Sequence, residues 1–468
     1  MLFNSLAFLL IFLPIVLLVA CRIRGQRLLA WITASSFIFY ALAGDLWFLA
    51  PMLFTTVLDF IIAPLMEKSH GRKRKALLFI SLGGNFGLLA YFKYSGLLVR
   101  TAEHVAIFFF KGFHPTWSSA FVTLLPAGIS FYTFQTLSYI IDVYRGKCPA
   151  DRNFIKFAGF VSFFPHLIAG PLTRHNQLIP QLERIAIQGI RPRWRMGIYL
   201  FSIGLIKKVI LADRIAAIID PLLNHTNDLT FMGGWLVAIG YALQIYFDFS
   251  GYTDMAIGIG RLFDIELPQN FNSPYQARNP SDFWRRWHIT LSLWLRDYLY
   301  ISLGGNRCSE KRKNLNLVLT MVLGGLWHGA SWTFAIWGLY HGLLLVGYHY
   351  GRDLWDRMRD GSQVTTMFLL TCLGWVFFRA ESFGSAVSWL RAMFGLNGFG
   401  PPSLTLHEWI VSMWLFVVGL TVAIKWKNAS SYEKFDELGG SHQVALGIVT
   451  FVAILFMNYS SKFLYFQF

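Results

Sequence analysis

Stretches of largely apolar sequence recur along nearly the whole 468-residue chain, and nothing else in it constrains the fold as strongly. A bilayer core about 30 Å thick is crossed by a helix of roughly 20 apolar residues. Within lipid every backbone amide and carbonyl must find its partner inside the protein, which leaves helices as the solution for segments of this length. Such stretches lie near 3–21, 28–44, 46–66, 76–98, 118–141, 154–172, 197–219, 232–262, 314–329, 331–350, 364–379, 408–425 and 443–459. They predict an all-α polytopic membrane protein with about 11–13 transmembrane or re-entrant segments, two or three of them broken.

Composition excludes an ordinary water-soluble domain, with 55% hydrophobic residues against 14% charged and a mean hydropathy of +0.47. The polar stretches are short: 67–75, 145–153, 173–195, 264–288, 305–313, 351–363 and 427–442. This pattern predicts one membrane-embedded domain over residues 1–468, an interfacial or re-entrant region at 264–313, and a short aromatic C-terminal tail at 459–468.

The net charge of +16 follows topology. No cation precedes the first apolar segment, whereas Arg22, Arg24 and Arg27 follow it. That segment therefore reads as a retained anchor with residue 1 outside, because Lys and Arg concentrate on the cytoplasmic side. Lys68, Arg72, Lys73, Arg74 and Lys75 follow the third segment, while the 44–45 turn carries no positive charge. Both agree with a multi-pass membrane protein whose N-terminus lies outside. The cationic excess suits lipid headgroups and does not require nucleic acid. Cys21, Cys148, Cys308 and Cys372 are widely separated, supporting neither a disulfide framework nor a zinc site, and no metal is expected.

The connection 264–288 has an unusual composition, DIELPQNFNSPYQARNPSDFWRRWH. Pro280 restricts the chain before Ser281, a suitable helix N-cap, and Asp282 would then sit in the first turn. From Ser281 a helical period brings Trp284, Trp287, His288, Leu291, Trp294 and Leu295 to one face, with Arg285, Arg286 and Arg296 around the others. This predicts one helix in the headgroup layer, and a purely anchoring role suits it as well as a chemical one.

Ionisable residues within apolar spans cost about 2.5–3.5 kcal/mol each on insertion, so each needs a partner or a purpose. The candidates are Asp59, Asp142, His166, Lys207, Lys208, Asp248, Asp254, His328 and His341. Asp248 and Asp254 flank a glycine in YFDFSGYTDMAIG and call for Lys or Arg from a neighbouring helix. His341 reads as a hydrogen-bonded histidine of the bundle. His328 has a distinct setting, GGLWHGASW, in which Gly324, Gly325 and Gly329 remove bulk on both sides and permit close approach of another helix or a substrate. Acyl transfer suits His328 and the earlier His288. A thioester is already activated, so moving its acyl group to a hydroxyl needs chiefly a base, and neutral imidazole, of unperturbed pKa about 6.5, fits that task. GxSxG and a Cys-His context are both absent, which disfavours a covalent serine or cysteine centre.

Taken together, SDFWRRWHITLSLWLRDYLY, GGLWHGASW, YFDFSGYTDMAIG and the terminal FLYFQF resemble the membrane-bound O-acyltransferases, in particular their alginate-acetylating branch. The resemblance covers essentially the whole chain. It implies a helical bundle around a central funnel, with His328 at the family's catalytic histidine and His288 at the second signature histidine. Asp282, Trp284, Arg285 and Trp287 fall in the same signature, and Arg296 and Trp327 join them as candidate substrate or donor contacts. It further implies acetyl-coenzyme A as the cytosolic donor substrate, with no permanently bound cofactor. The implied acceptor is an exported polysaccharide such as alginate or cellulose, reached with the help of periplasmic acetyltransferase proteins. Arg285, Arg286, Arg296, Lys311, Arg312 and Lys313 suit donor phosphates and lipid headgroups equally. By analogy with the teichoic-acid branch, Tyr465 is a candidate transient acyl carrier. Three other readings remain open at this point: D-alanyl transfer toward teichoic acid, a transporter of an acyl donor or protons using Asp248, Asp254 and His328, and a scaffolding subunit.

Overall fold

The computed structural model describes residues 1–110, 117, 124–402, 404–425, 440–457 and 464, and among them no strand occurs. Four helical stretches, Leu46–Glu67, Gly71–Phe109, Asp360–Arg379 and Leu406–Lys425, are long and apolar enough to cross a bilayer. The described residues fall into two compact units, one of Met1–Gly197 with Ile259–Pro268 and one of Ile198–Gly258 with Gln269–Phe468.

In the first unit the helices are α1 (Leu13–Ala20), α2 (Gly25–Ala43), α3 (Leu49–Glu67), α4 (Gly71–Leu89), α5 (Ser95–Phe109), α6 (Ile129–Tyr144), α7 (Phe154–Ser162), α8 (Phe164–Leu167) and α9 (His175–Gln188). Several expected spans are interrupted. The 3–21 segment opens with a wide π turn at Phe8–Phe12, and 154–172 breaks at Phe163, whose extended ψ of 106° separates α7 from α8. In the 118–141 segment the helix begins at Ile129, and 118–123 lie outside the described residues. Asp59, fully buried on α3, is satisfied by neutral donors. Ser81 and Asn85 of α4 donate to its carboxyl oxygens, and the Asn85 carbonyl accepts from Thr136 of α6 at 2.9 Å. A polar network of this kind ties three apolar helices together where dispersion alone is indifferent to register.

The 259–268 strip is clamped to this unit by charge. Arg184 donates to Asp264 at 2.9 Å, and Glu266 accepts from Arg193 at 2.6 Å and from Arg261. Burial by itself would raise the Glu266 pKa, but the two guanidinium groups outweigh it and hold the carboxyl below its ordinary range.

In the second unit, α10 (Trp194–Ile206) enters from the first and continues through a π segment, Lys207–Ala212, into α11 (Asp213–Leu223). The 197–219 span is thus continuous but distended. α12 (Phe231–Leu262) runs beside it, and Gly204 and Gly251 bring the two backbones into contact. Successive residues on a helix diverge by about 100°, so adjacent lysines need separate carboxylates. Lys207 pairs with Asp254 at 2.6 Å, and Lys208 with both Asp248 at 2.6 Å and Asp213 at 2.8 Å, all buried. The expected cationic partners of Asp248 and Asp254 are therefore neighbouring lysines. Asp248 also accepts the backbone amide of Leu464 at 2.9 Å, and Leu464 is the one described residue of the 459–468 tail.

The remaining helices of this unit are α13 (Pro280–Arg286), α14 (Ile289–Trp294), α15 (Glu310–His328), α16 (Trp332–Asp356), α17 (Asp360–Arg379), α18 (Phe383–Met393), α19 (Leu406–Lys425) and α20 (Gly440–Leu455). α15 and α16 form a tight antiparallel hairpin whose connection holds Gly329, Ala330 and Ser331. A side chain at Gly325 would run into the Phe334 carbonyl and lie 3.1 Å from the Gly338 nitrogen. One at Gly338 would meet the Met321 carbonyl and lie 2.8 Å from the Val322 Cα. The two backbones touch because neither position carries a Cβ.

Candidate active site

His328 is the last residue of α15, and the chain turns away at once into extended backbone at Gly329. Ser331 caps α16 by accepting the Thr333 amide at 3.3 Å. The His328 imidazole is only 4% exposed and lies among aromatic rings, with centroids 5.0 Å from Trp327, 5.2 Å from Trp337 of α16 and 5.3 Å from Phe378 of α17. His288 is the fourth neighbour, 6.1 Å away.

The path to His288 departs from the single helix expected from Ser281. The cap is Asn279, whose side chain accepts the Asp282 amide at 2.8 Å with Pro280 as the first helical residue, and Ser281 lies inside the turn. The helix then stops. Trp287 is extended and His288 takes the left-handed conformation at φ 42°, so α13 and α14 are two short pieces. Helical periodicity does not register such a break, because the apolar positions keep their spacing through it. Nor is the face a headgroup-layer surface: Trp287, His288, Leu291 and Trp294 are all buried.

Asn270 holds the break open. Its carbonyl accepts the Ile289 amide at 2.9 Å, and its side-chain oxygen accepts from the Thr290 amide at 3.2 Å and the Thr290 hydroxyl at 2.8 Å, with His288 Nδ1 at 3.1 Å. Since the backbone amide can only donate, this oxygen is an acceptor and His288 Nδ1 carries its proton. The lone pair of the neutral ring is then on Nε2. Phe249 packs edge-on against the same ring at 4.8 Å. Replacing Asn270 with alanine is expected to destabilise the protein by about 1–3 kcal/mol through the lost contacts to the Thr290 amide, the Thr290 hydroxyl and His288. Thr290→Val, which removes one hydroxyl contact, should cost clearly less. Thermal unfolding of both variants in detergent checks the order, and equal midpoints would mean that Asn270 does not hold the turn.

A cavity of 720 Å³ leads to His328. At the N-terminal end of α15 it is lined by Lys313, His349 and Arg352, and along α15 by Leu317, Thr320, Met321 and Gly324; Arg296, Trp284 and Trp337 complete the lining with His328. A second cavity of 400 Å³ lies around the α15–α16 connection and the end of α17, lined by Gly329, Ser331, Thr333, Phe334, Phe378, Arg379 and Glu381 among others. The two share no lining residue. His328, with Phe378 against it, stands where one ends and the other begins.

The candidate residues separate on this geometry. His328, Trp284 and Arg296 line the larger cavity, where Arg296 also pairs with Asp297 at 2.7 Å. Trp327 is buried against the rings of both His288 and His328. Asp282 accepts from Arg286 at 3.0 Å and from the Arg278 amide at 3.2 Å, so it secures its own turn. Arg285 is exposed, and Trp287 is packed against Trp375, 4.9 Å between centroids, away from either cavity. Of Lys311, Arg312 and Lys313 only the last reaches the cavity, where Glu310 accepts from it at 2.8 Å. Tyr465 lies outside the described residues. His341 departs from expectation: it is fully buried, but neither ring nitrogen has a hydrogen-bond partner among the described residues, and its ring stacks on Phe283 and meets Trp284 and Trp337 in edge-to-face contacts. Sequence reasoning missed Trp337, Phe378 and Asn270, which no local pattern distinguishes. It also missed His349 and Arg352, whose i, i+3 spacing on α16 was available as a signal.

Comparison with known proteins agrees with the motif resemblance. Residues 35–380 match the model of the membrane-bound O-acyltransferase family. The chain is 35% identical to the peptidoglycan O-acetyltransferase of Helicobacter pylori, over 100% of this chain and 98% of that protein. It is 43% identical to the probable alginate O-acetylase of Azotobacter vinelandii, over 85% of this chain and 79% of the relative. The teichoic acid D-alanyltransferase of Bacillus subtilis is 28% identical over 55% of this chain and 69% of its own length.

Proposed function

Because this chain belongs to the membrane-bound O-acyltransferase family, we propose that it passes an acetyl group from cytosolic acetyl-coenzyme A to an exported polysaccharide, with His328 as the base. The observation that carries this reading is the position of His328 between two separate cavities. Coenzyme A does not cross a bilayer, and the polymer lies on the other side. The carbonyl and the hydroxyl must therefore meet within the protein.

The larger cavity suits the donor. Lys313 and Arg352 at its mouth are cytosolic by the positive-inside rule, as are the clusters at 22–27 and 68–75, which leaves residue 1 periplasmic in a bacterial inner membrane, and Arg296 adds a further cation to the lining. Guanidinium and ammonium groups there fit the donor phosphates. The apolar walls narrow toward Trp284, Trp337 and His328, so the small acetyl thioester is the part of the donor that reaches the imidazole. The smaller cavity, with Ser331, Thr333 and Arg379, suits a polar acceptor arriving from the opposite face.

In the reaction His328 takes the proton of the acceptor hydroxyl as its oxygen attacks the acetyl carbonyl. The new C–O bond forms, the C–S bond breaks, and the imidazolium returns its proton to the departing thiolate. His288, oriented by Asn270, supplies a second neutral imidazole beside the reacting centre. The alginate and peptidoglycan in the names of the relatives at 35–43% identity support a polysaccharide acceptor; help from periplasmic acetyltransferase proteins is part of the same proposal. The D-alanyl reading rests on relatives that are less similar and cover about half the chain.

The test is purified protein in liposomes supplied with acetyl-coenzyme A labelled in the acetyl group. Release of free coenzyme A, with label passing to an acceptor in the opposite compartment, is expected. Movement of the intact thioester, or no cleavage at all, would overturn the proposal.

A further inference from the structure

Trp337 of α16 lines the larger cavity beside His328, and its ring meets the imidazole edge-on, 5.2 Å between centroids at 87°. The residue is 1% exposed, yet its Nε1 is buried with no hydrogen-bond partner among the described residues. A buried indole N–H ordinarily finds an acceptor, because leaving it unpaired costs the full desolvation of the group. Packing prevents this ring from turning toward one. It stacks on Trp375 at 5.6 Å and 17° and meets Phe378 at 4.9 Å, and the next residue, Gly338, sits against the main chain of α15. Trp284 carries a second unpartnered Nε1 in the same cavity, but its ring meets Trp337 at 5.7 Å, one ring further from His328.

The neighbouring imidazoles and hydroxyls offer no proton to an incoming carbonyl. His328, as the base, presents a lone pair. The Nδ1 proton of His288 goes to Asn270, which leaves a lone pair on Nε2 as well. Thr320 and Ser292, both in the cavity lining, donate their hydroxyl protons to the carbonyls of Asn316 and Trp287. The acetyl carbonyl nevertheless needs a donor. When the acceptor oxygen attacks, the C=O π electrons move onto the carbonyl oxygen, and a fixed N–H in a buried site stabilises the negative charge there. We propose that the Trp337 indole N–H donates to the thioester carbonyl oxygen and to the oxyanion formed from it, which makes Trp337 a catalytic residue alongside His328. No proton is transferred in this contact. The hydrogen bond strengthens as the C–O bond forms and relaxes when the C–S bond breaks and the carbonyl is restored. The inference rests on the acetyl-transfer reading for the identity of the carbonyl.

A vibrational measurement separates this hydrogen bond from simple packing. Acetyl-coenzyme A labelled with carbon-13 at the carbonyl is bound to full-length His328→Ala protein, which holds the thioester without turning it over, and the carbonyl stretch is read by isotope-edited infrared difference spectroscopy. A frequency below that of the free thioester is expected, with return to the free value when Trp337→Phe is added. In the protein that retains His328, Trp337→Phe keeps a ring against the imidazole and removes only the donor. It should lower the rate of acetyl transfer by about 10²–10³-fold, the usual loss for one oxyanion donor, at an unchanged dissociation constant for acetyl-coenzyme A. Replacing Trp337 with benzothienylalanine, the indole isostere with sulfur in place of N–H, should have the same two effects and serves as the check if the smaller ring fails to hold the fold. A carbonyl at the free frequency in His328→Ala, a lowered frequency that survives removal of the N–H, or a loss of rate below about tenfold in both replacements would defeat the assignment. Coenzyme A release by the unmodified protein, measured separately, decides the acetyl-transfer reading. Release with an unshifted carbonyl removes only the role of Trp337, whereas absence of release removes the reading itself.

Discussion

Substituting alanine for His328 is expected to lower coenzyme A release and acceptor acetylation by about 10²–10⁴-fold, the usual contribution of a positioned general base. A sugar hydroxyl without a base is a weak nucleophile, and no other imidazole lines either cavity next to the Phe378 boundary. The His288 ring is 6.1 Å away, with its Nδ1 committed to Asn270, so it cannot take over the same position without unmaking that turn. Binding of the donor should change little, because the cationic mouth of the larger cavity is separated from His328 by several turns of α15. A loss of rate at unchanged donor affinity is thus the expected signature, measured as the rate of thioester cleavage against the dissociation constant of acetyl-coenzyme A. A variant retaining more than a tenth of the original rate would remove His328 from the chemistry and return the scaffolding alternative to consideration.

How legible this arrangement was depends on what kind of information each part needs. The helical class follows from solvent physics alone, and the glycines around His328 announced a close approach, which Gly325 makes to the backbone of α16 and Gly324 to the Leu295 side chain. The lysine partners of Asp248 and Asp254 were predictable as a requirement, though the π segment that presents Lys207 and Lys208 was not. The break at His288 was invisible for a clear reason. A left-handed histidine is locally unfavourable, and the hydrogen bonds that offset it come from Asn270, 18 residues earlier in a segment with no period of its own. His341 fails in the opposite direction. A buried histidine is ordinarily hydrogen-bonded, and only the tertiary packing of Phe283, Trp284 and Trp337 shows that this one is held by ring contacts. Trp337 and Phe378 looked like any apolar span residue, because what distinguishes them is the partner they meet.

The second large effect concerns backbone contact. In Gly325→Ala the new methyl group would point at the Phe334 carbonyl and at the Gly338 backbone, 3.1 Å from its nitrogen and 3.2 Å from its Cα. Neither neighbour is a side chain that can rotate away, so α16 as a whole must retreat from α15. The intrinsic helix preference for alanine favours the substitution by about 1 kcal/mol, but overpacking of a fitted contact typically costs about 1–3 kcal/mol, occasionally more. Here the obstacle is main chain, which places the cost at the upper end and makes the net effect destabilising. Function should suffer further, because α15 carries His328 and α16 carries Trp337, and a displacement of about 1 Å at a reacting centre lowers rate by about 10²-fold. Gly347→Ala on α16 is the matched control: a Cβ there meets nothing within 4 Å, so the substitution should be neutral or stabilising by up to about 1 kcal/mol. Thermal unfolding and thioester cleavage measured on the pair separate the two terms. If Gly325→Ala unfolds at the same temperature as Gly347→Ala and turns over as fast, the hairpin is not in backbone contact, and the glycines around His328 need another explanation.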